Sequence, residues 1–272
     1  MVPFCFVQSR AIDPFTVRRV DLNADVGESY GAYVIGDDEA LLASVTSASV
    51  AAGFHAGDPG VLRRTIRLAH ARGVGVGAHP GFQDLAGFGR REMRLSAAEA
   101  EDLVLYQIAA VAGIAQAEGV RLQHVKPHGA LYNRAATDAG LAEAIVRAVR
   151  AFDARLILFG PPRSALLEAG RAAGLRIAAE AFADRAYQRD GTLAPRRMTE
   201  SVISDPSVVV SRAVRMIVER VVLATDGTPV PIEPDTLCVH SDTPGAGRLA
   251  AAIRRGLEAA GIAIRRFDAG RG

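Results

Sequence analysis

The run His124-Val125-Lys126-Pro127-His128-Gly129 sets one ammonium between two imidazoles. Lys126 is the only lysine in 272 residues, and the other 31 of the 32 Lys and Arg side chains are arginine. A chain that meets nearly every need for positive charge with guanidinium keeps one ammonium where a compact point charge, or a pKa that burial can move, is required. On an extended strand His124, Lys126 and His128 share parity and therefore a face, and Pro127 ends the ladder. Two imidazoles beside an ammonium in a partly enclosed mouth are expected to lower the lysine pKa and to oppose ring protonation. Such a group can stabilise an oxyanion or deliver a proton near neutral pH. For His124, satisfaction by structural contacts is the simpler account.

Asp21, Asn23 and Asp25 also share parity, with Leu22 and Ala24 between them. Three polar side chains on one strand face need a ligand, a metal or each other. Asp25 has a blander alternative as the residue that closes the turn Val26-Gly27-Glu28. His55 follows an apolar run inside Gly53-Phe54-His55-Ala56-Gly57-Asp58, and His79 ends Val74-Gly75-Val76-Gly77-Ala78-His79-Pro80. Asp25 with His55 and His79 would make a two-histidine, one-carboxylate metal set with open positions, and a metal-free site in which the histidines bond substrate fits the same residues. The stretch Glu180 to Gln188 and on to Pro195-Arg196-Arg197 is a long polar excursion beyond a strand, a candidate lid with arginine for a carboxylate or phosphate. After the next strand, His240-Ser241-Asp242-Thr243-Pro244-Gly245-Ala246-Gly247 leads into a helix. No Gly-x-x-x-x-Gly-Lys-Ser/Thr run occurs, so a nucleotide here is not held by a Walker loop.

The elements that carry these residues alternate. Strands are expected at Val17–Asn23, Ala48–Ala52, Val74–Ala78, Leu122–Lys126, Leu156–Phe159, Leu175–Ala179, Thr236–His240 and Ile262–Phe267, with helices between them. Asp58-Pro59 and Asp205-Pro206 read as N-caps before a first-turn proline, and Ser96 with Glu99 as a capping box for a helix ending at Gly119. Polar residues stand at nearly every strand end rather than at one crevice, which favours a parallel (β/α) barrel of seven or eight units over an open sheet.

Composition narrows the class. With 49% hydrophobic and 23% charged residues the chain can bury a full core, and no linker-like stretch divides it, so a single domain over 17–272 is expected after an amino-terminal extension, 1–16. The 32 basic and 30 acidic side chains are interspersed, which argues against nucleic acid as a partner. Cys5 and Cys238 form no disulfide framework, and no apolar stretch approaches the length of a membrane span. A cytoplasmic protein is expected.

Asp21-Leu22-Asn23-Ala24-Asp25-Val26-Gly27-Glu28, Gly53 to Asp58, Gly77-Ala78-His79-Pro80, Phe88-Gly89-Arg90, His124 to Asn133, Phe182-Ala183-Asp184-Arg185 and Cys238-Val239-His240-Ser241-Asp242 together strongly resemble the LamB/YcsF family, the A subunits of prokaryotic 5-oxoprolinase. The resemblance runs from about residue 17 to 267; where the family often has glycine, this chain has Ser241. It implies a barrel similar to the glycoside hydrolase/deacetylase superfamily. It also implies ATP-dependent opening of the 5-oxoproline (pyroglutamate) lactam to L-glutamate, performed with separate B and C subunits. On that basis Asp21 or Asp25 is expected as general base, Lys126 with His128 as stabilisers of developing negative charge, and His55 and His79 as substrate or metal contacts. Asn23, Asn133, Asp184, Arg185, His240 and Asp242 are the remaining expected substrate contacts. A metal-dependent amidohydrolase or carbohydrate deacetylase acting alone, and a non-catalytic ligand-binding subunit, are the alternatives that the same barrel would suit.

Overall fold

Alternating apolar and polar residues on short β-branched runs build a sheet whose outer face is covered by helices. The structure, a computed structural model, describes residues 18–196 and 198–267; the extension 1–16, with Cys5, lies outside the described residues. In chain order the elements are β1 (Arg19–Val26), α1 (Asp38–Leu42), β2 (Ser47–Ala51), α2 (Pro59–Ala71), β3 (Gly75–His79), α3 (Ala97–Ala117), β4 (His124–Val125), α4 (Gly129–Ala135) and α5 (Ala139–Asp153). There follow β5 (Ile157–Gly160), α6 (Ala165–Ala172), β6 (Arg176–Ala181), α7 (Pro206–Val218), β7 (Val221–Leu223), β8 (Pro229–Pro231), β9 (Thr236–His240), α8 (Ala246–Ala259) and β10 (Ala263–Ile264).

Seven parallel strands, β1 to β6 and β9, pair in sequence, and β9 returns to pair with β1, closing a barrel. Asp21 lies opposite Thr236 and Asp25 opposite His240 across that closing seam. The eighth expected strand is reduced to β10, which pairs only with Arg19 and Val20 at the start of β1. Two other expectations shift. The first strand continues through Asp25 to Val26, so Asp25 is a strand residue rather than a turn residue. The fourth shortens to two residues, losing Leu122 and Gln123 at its start and Lys126 at its end, where Pro127 has no N–H to continue the ladder. Between α7 and β9 the chain adds the antiparallel hairpin β7–β8, closed over Asp226-Gly227, with Gly227 at φ +81°. That turn signal is present in the sequence, but the flanking strands are three residues each and one begins and ends in proline.

Local chemistry sets the helix starts. The Asp58 carboxylate accepts from the amides of Gly60 and Val61, Asp205 caps α7 in the same way, and Ser96 and Glu99 form the reciprocal capping box at α3. The outward strand residues Leu22, Ala24, Val26, Ala48, Val50 and Val76 pack under these helices with Ile66, Ile108 and Ile145, all essentially without exposure. Each buried leucine, isoleucine or valine among them contributes roughly 1.5–3 kcal/mol.

The inward face is polar in its middle layer. His124 points into the barrel, stacks on Phe159 with ring centroids 4.2 Å apart and bonds the Ser49 hydroxyl through Nε2 at 3.1 Å. Gly77 makes room for it: a Cβ there would lie 2.3 Å from the ring. Burial, aided by the Lys126 charge, pushes the His124 pKa down to about 3. The folded ring is therefore neutral across a range in which the unfolded chain, with an ordinary value near 6.5, takes up a proton, so stability is lost as pH falls from about 6.5 toward 3. At most this amounts to about 1.4 kcal/mol per pH unit. His124→Gln, which retains a partner for Ser49, should flatten the acid limb of a urea-stability-versus-pH curve; a limb parallel to that of the unmodified chain would contradict this account.

Candidate active site

Lys126 leaves β4 at the barrel's carboxyl-terminal end, its amide bonded to Ala78 O at 3.0 Å, and its side chain runs back across the barrel axis. Nζ lies 2.8 Å from Asp25 Oδ1 on β1 and 2.8 Å from Glu180 Oε1 on β6. It donates to Asn23 Oδ1 at 3.3 Å and meets Cys238 Sγ of β9 at 2.9 Å. The Asn23 amide ties the cluster together by donating to Glu180 Oε1 at 2.9 Å and Thr236 Oγ1 at 2.7 Å. Lys126 is 2% exposed. Burial alone would strip its proton, but Asp25, Cys238 and Glu180 outweigh it and hold the ammonium pKa well above the ordinary lysine value. The expectation of a lowered lysine pKa is thus corrected. The imidazoles that were to lower it are themselves pushed down by burial, and two carboxylates stand closer. Burial likewise opposes the charge of Asp25, but His79 and Lys126 overcome it and keep that carboxyl well below the usual carboxylate range.

Asp21 does not join this group. Four residues earlier on the strand, about 13 Å away along the barrel, its carboxylate accepts from the hydroxyls of Thr46 (2.8 Å), Ser47 (2.7 Å) and Thr236 (2.6 Å). It binds strands together, and its part as a general base has no geometry to support it.

A second cluster occupies the wall beside Asp25. His79 and His128 meet at right angles, with His79 Nε2 2.9 Å from His128 Nδ1. The His79 Nδ1 faces Lys126 O at 2.7 Å, and His128 Nε2 faces Phe88 O at 2.8 Å. His55 stacks flat on His128 at 3.8 Å, and Glu28 Oε1 lies 3.5 Å from His128 Nδ1 and 3.8 Å from His55 Nε2. Glu28 reaches this position because Gly27, at φ +68°, turns the chain immediately after β1. The Ser241 hydroxyl donates to its other oxygen. Burial, then the negative charge of Asp25, raises the Glu28 pKa to about 8. Phe88 and Gly89 both adopt left-handed backbone, and a Cβ on Gly89 would lie 2.8 Å from His55 Cβ and 2.9 Å from His128 Cδ2.

Among the described residues, two groups of side chains bring metal-ligating atoms together: Glu28, His55, His79 and His128, and separately Asp25, Cys238 and His240. The second surrounds the position already served by the Lys126 ammonium. In the expected set of Asp25, His55 and His79, only His79 approaches Asp25, at 3.5 Å.

Above both clusters opens a cavity of about 660 Å³, lined by Asp25, His79, Lys126, His128 and Glu180 and by Asn133, Arg185 and His240 higher up. The excursion after β6 walls one side through Thr192 to Arg196. Arg185 secures that wall by donating to Ser201 O and Ala194 O; burial, with Arg196 nearby, pulls its pKa down to about 10. Asp184 stands behind the lining, its carboxylate 3.3 Å from His240 Nδ1. At the rim Asp242 accepts from Arg90 at 2.6 Å and lies 3.6 Å from Arg196. Three members of the site were not singled out from sequence: Glu28, Glu180 and Cys238. Alternation along β9 carries a signal for Cys238, which shares inward parity with Thr236 and His240. Glu180 was visible only as a polar strand end, and Glu28 depends on the turn at Gly27.

Two substitutions test this arrangement. Lys126→Met leaves Asp25 and Glu180 buried against each other and should cost roughly 3–5 kcal/mol in urea unfolding; a loss below about 1 kcal/mol would show the carboxylates to be independently satisfied. Gly89→Ala should lower stability by about 1–3 kcal/mol through left-handed strain and the two ring contacts, read as a fall in melting temperature.

The family model for the LamB/YcsF family matches residues 20–271. A Chloroflexus aggregans protein, named as the A subunit of 5-oxoprolinase, is 57% identical over 246 residues, spanning 90% of this chain and 98% of its own length. A protein of the same name from Methylococcus capsulatus is 56% identical over 247 residues, 91% of this chain and 95% of its own. The crystal structure of a lactam utilization protein from Thermus thermophilus superposes with a TM-score of 0.87 at 52% identity, covering 92% of this chain and all of that one. The chain belongs to the LamB/YcsF family.

Proposed function

We propose that this chain is the A component of a multi-subunit 5-oxoprolinase, in which its barrel cavity holds the lactam while the ring C–N bond is hydrolysed at the expense of ATP. Three relatives described above carry names that point to this reading. The observation that supports it most directly is the buried Lys126 ammonium, kept charged at the cavity floor by Asp25 and Glu180.

A lactam carbonyl resists attack by water until negative charge on its oxygen is stabilised or the oxygen is made a leaving group by phosphorylation. Lys126 supplies the fixed positive charge for that oxygen or its phosphate, in a site where little water screens it. Asp25 is too weak a base for proton abstraction because its pKa is held low; its part is to keep Lys126 protonated and aimed. Glu180 lines the cavity and has Oε2 without a hydrogen-bond partner, so it is the group that receives the proton of the attacking water and returns it to the ring nitrogen as the C–N bond breaks. The substrate carboxylate pairs with arginine on the upper wall, where Arg163, Arg185 and Arg196 stand. In the net reaction two waters are consumed: one is added across the ring C–N bond, and the other ends in the phosphate released as ATP becomes ADP. ATP cleavage belongs to the assembled enzyme with its B and C subunits.

The test is ATP-dependent release of glutamate from 5-oxoproline, measured with this chain alone and with the partner subunits added. Turnover should require the partners, and both Lys126→Arg and Glu180→Gln should reduce it by about 10²–10³-fold. Full turnover by the Lys126→Arg complex would refute the need for an ammonium; turnover of N-acetyl sugars by the chain alone would replace the proposal with a deacetylase.

A further inference from the structure

We propose that Glu28, His79 and His128 bind a divalent transition-metal ion of the zinc type at the cavity wall, beside the Lys126 cluster and independently of which lactam or amide the cavity takes. The donor atoms converge: Glu28 Oε1, His128 Nδ1 and His79 Nε2 all lie within 4.8 Å of one another, with separations of 3.5 Å from Glu28 to His128 and 2.9 Å from His128 to His79. Donors on a tetrahedral ion with bonds of about 2.0–2.1 Å stand about 3.3–3.4 Å apart, so only small movements would seat one. All three residues are more than nine-tenths buried, while His79 and His128 face the cavity.

The ring tautomers point to the same ion. A backbone carbonyl can only accept, so His79 has its proton on Nδ1, facing Lys126 O, and His128 has its proton on Nε2, facing Phe88 O. When both rings are neutral, as ligands to a cation must be, the two remaining nitrogens, 2.9 Å apart, both present lone pairs to the same point. Imidazoles that ligate metals are oriented in this way, each donating its distal N–H to a fixed acceptor. A proton shared between the rings would also relieve the clash, but it would leave Glu28 Oε1 buried without a partner, as it now is. A cation takes the carboxylate oxygen and both nitrogens together.

His55 is assigned a different part. Its ring lies parallel to His128 at 3.8 Å, interplanar angle 4°, and two stacked rings cannot aim lone pairs at one ion. It backs His128 and fixes that ring's plane. Three protein ligands leave a fourth position toward the cavity, the pattern of an ion that binds a water or a substrate oxygen. Imidazole and carboxylate donors favour zinc, cobalt or nickel over magnesium or calcium.

The experiment uses the full chain, stripped with a chelator and titrated with cobalt(II) as an optical probe, with zinc in competition. Expected is saturation at a single equivalent, with ligand-field bands in the visible that zinc displaces. Glu28→Gln and His128→Phe should each weaken binding by at least about tenfold, whereas His55→Phe, which preserves the stack, should bind within a few-fold of the unmodified chain. Glu28→Gln is nearly isosteric, and its far-ultraviolet circular dichroism identifies any loss that comes from misfolding. Absence of a saturable band, or unchanged affinity in a folded Glu28→Gln chain, would overturn the site; loss in His55→Phe as large as in Glu28→Gln would overturn the three-ligand assignment. Because the readout is metal binding, failure here leaves the lactam assay to stand or fall separately.

Discussion

A protonated amine buried among two carboxylates is the constraint from which the rest of the barrel interior follows. Taking three charges out of water is costly, and the mutual attraction compensates only when every remaining lone pair and proton has a partner. Asn23 goes far toward that condition by bonding Lys126, Glu180 and Thr236 at once, leaving Glu180 Oε2 as the oxygen without a hydrogen-bond partner. The partners come from β1, β6 and β9 and from the end of β4, so the charge cluster is satisfied only when the barrel has closed. Closure and site assembly are one event. The requirement also explains why the chain's lone lysine stands here, since a planar guanidinium cannot place its charge at one point 2.8 Å from oxygens on two strands, β1 and β6, that flank β9.

Below that cluster the barrel is held by a different chemistry. Asp21 gathers hydroxyls from Thr46, Ser47 and Thr236, and its pKa is raised by burial despite them. His124 fills the neighbouring space as a neutral ring. The interior thus grades from hydroxyl and stacked-ring contacts at depth to full charges at the mouth, and a residue's part depends on its height in the barrel more than on its type. Two aspartates on one strand face, Asp21 and Asp25, show this most plainly.

Much of this was legible from residue order. Period-two alternation correctly aimed Asp21, Asn23 and Asp25 inward, because parity on a strand is a local property. Helix caps at Asp58, Ser96 and Asp205 were equally readable, since each is a bond between residues two or three apart. What could not be read was who faces whom across the axis. The partners of Lys126 lie more than a hundred positions away in Asp25 and Cys238, and they, rather than the histidines beside it in sequence, decide its charge. Glu28 escaped for another reason: a single left-handed glycine reverses the chain, and no periodicity carries across such a turn. His124 and Lys126 share parity, yet β4 ends between them and their side chains serve different layers.

The rim contrasts with the floor. Arg90, Asp242 and Arg196 join the loop after β3, the loop after β9 and the segment after β6, and each is reached by solvent, with side chains 34%, 18% and 27% exposed. Pairs of this kind hold about 0–1 kcal/mol and are screened by salt, whereas the Lys126 cluster, nearly all buried, is screened much less. The entrance is therefore governed by the ionic medium and the floor is not: dissolved electrolyte can loosen access to the cavity without disturbing the charges at its base.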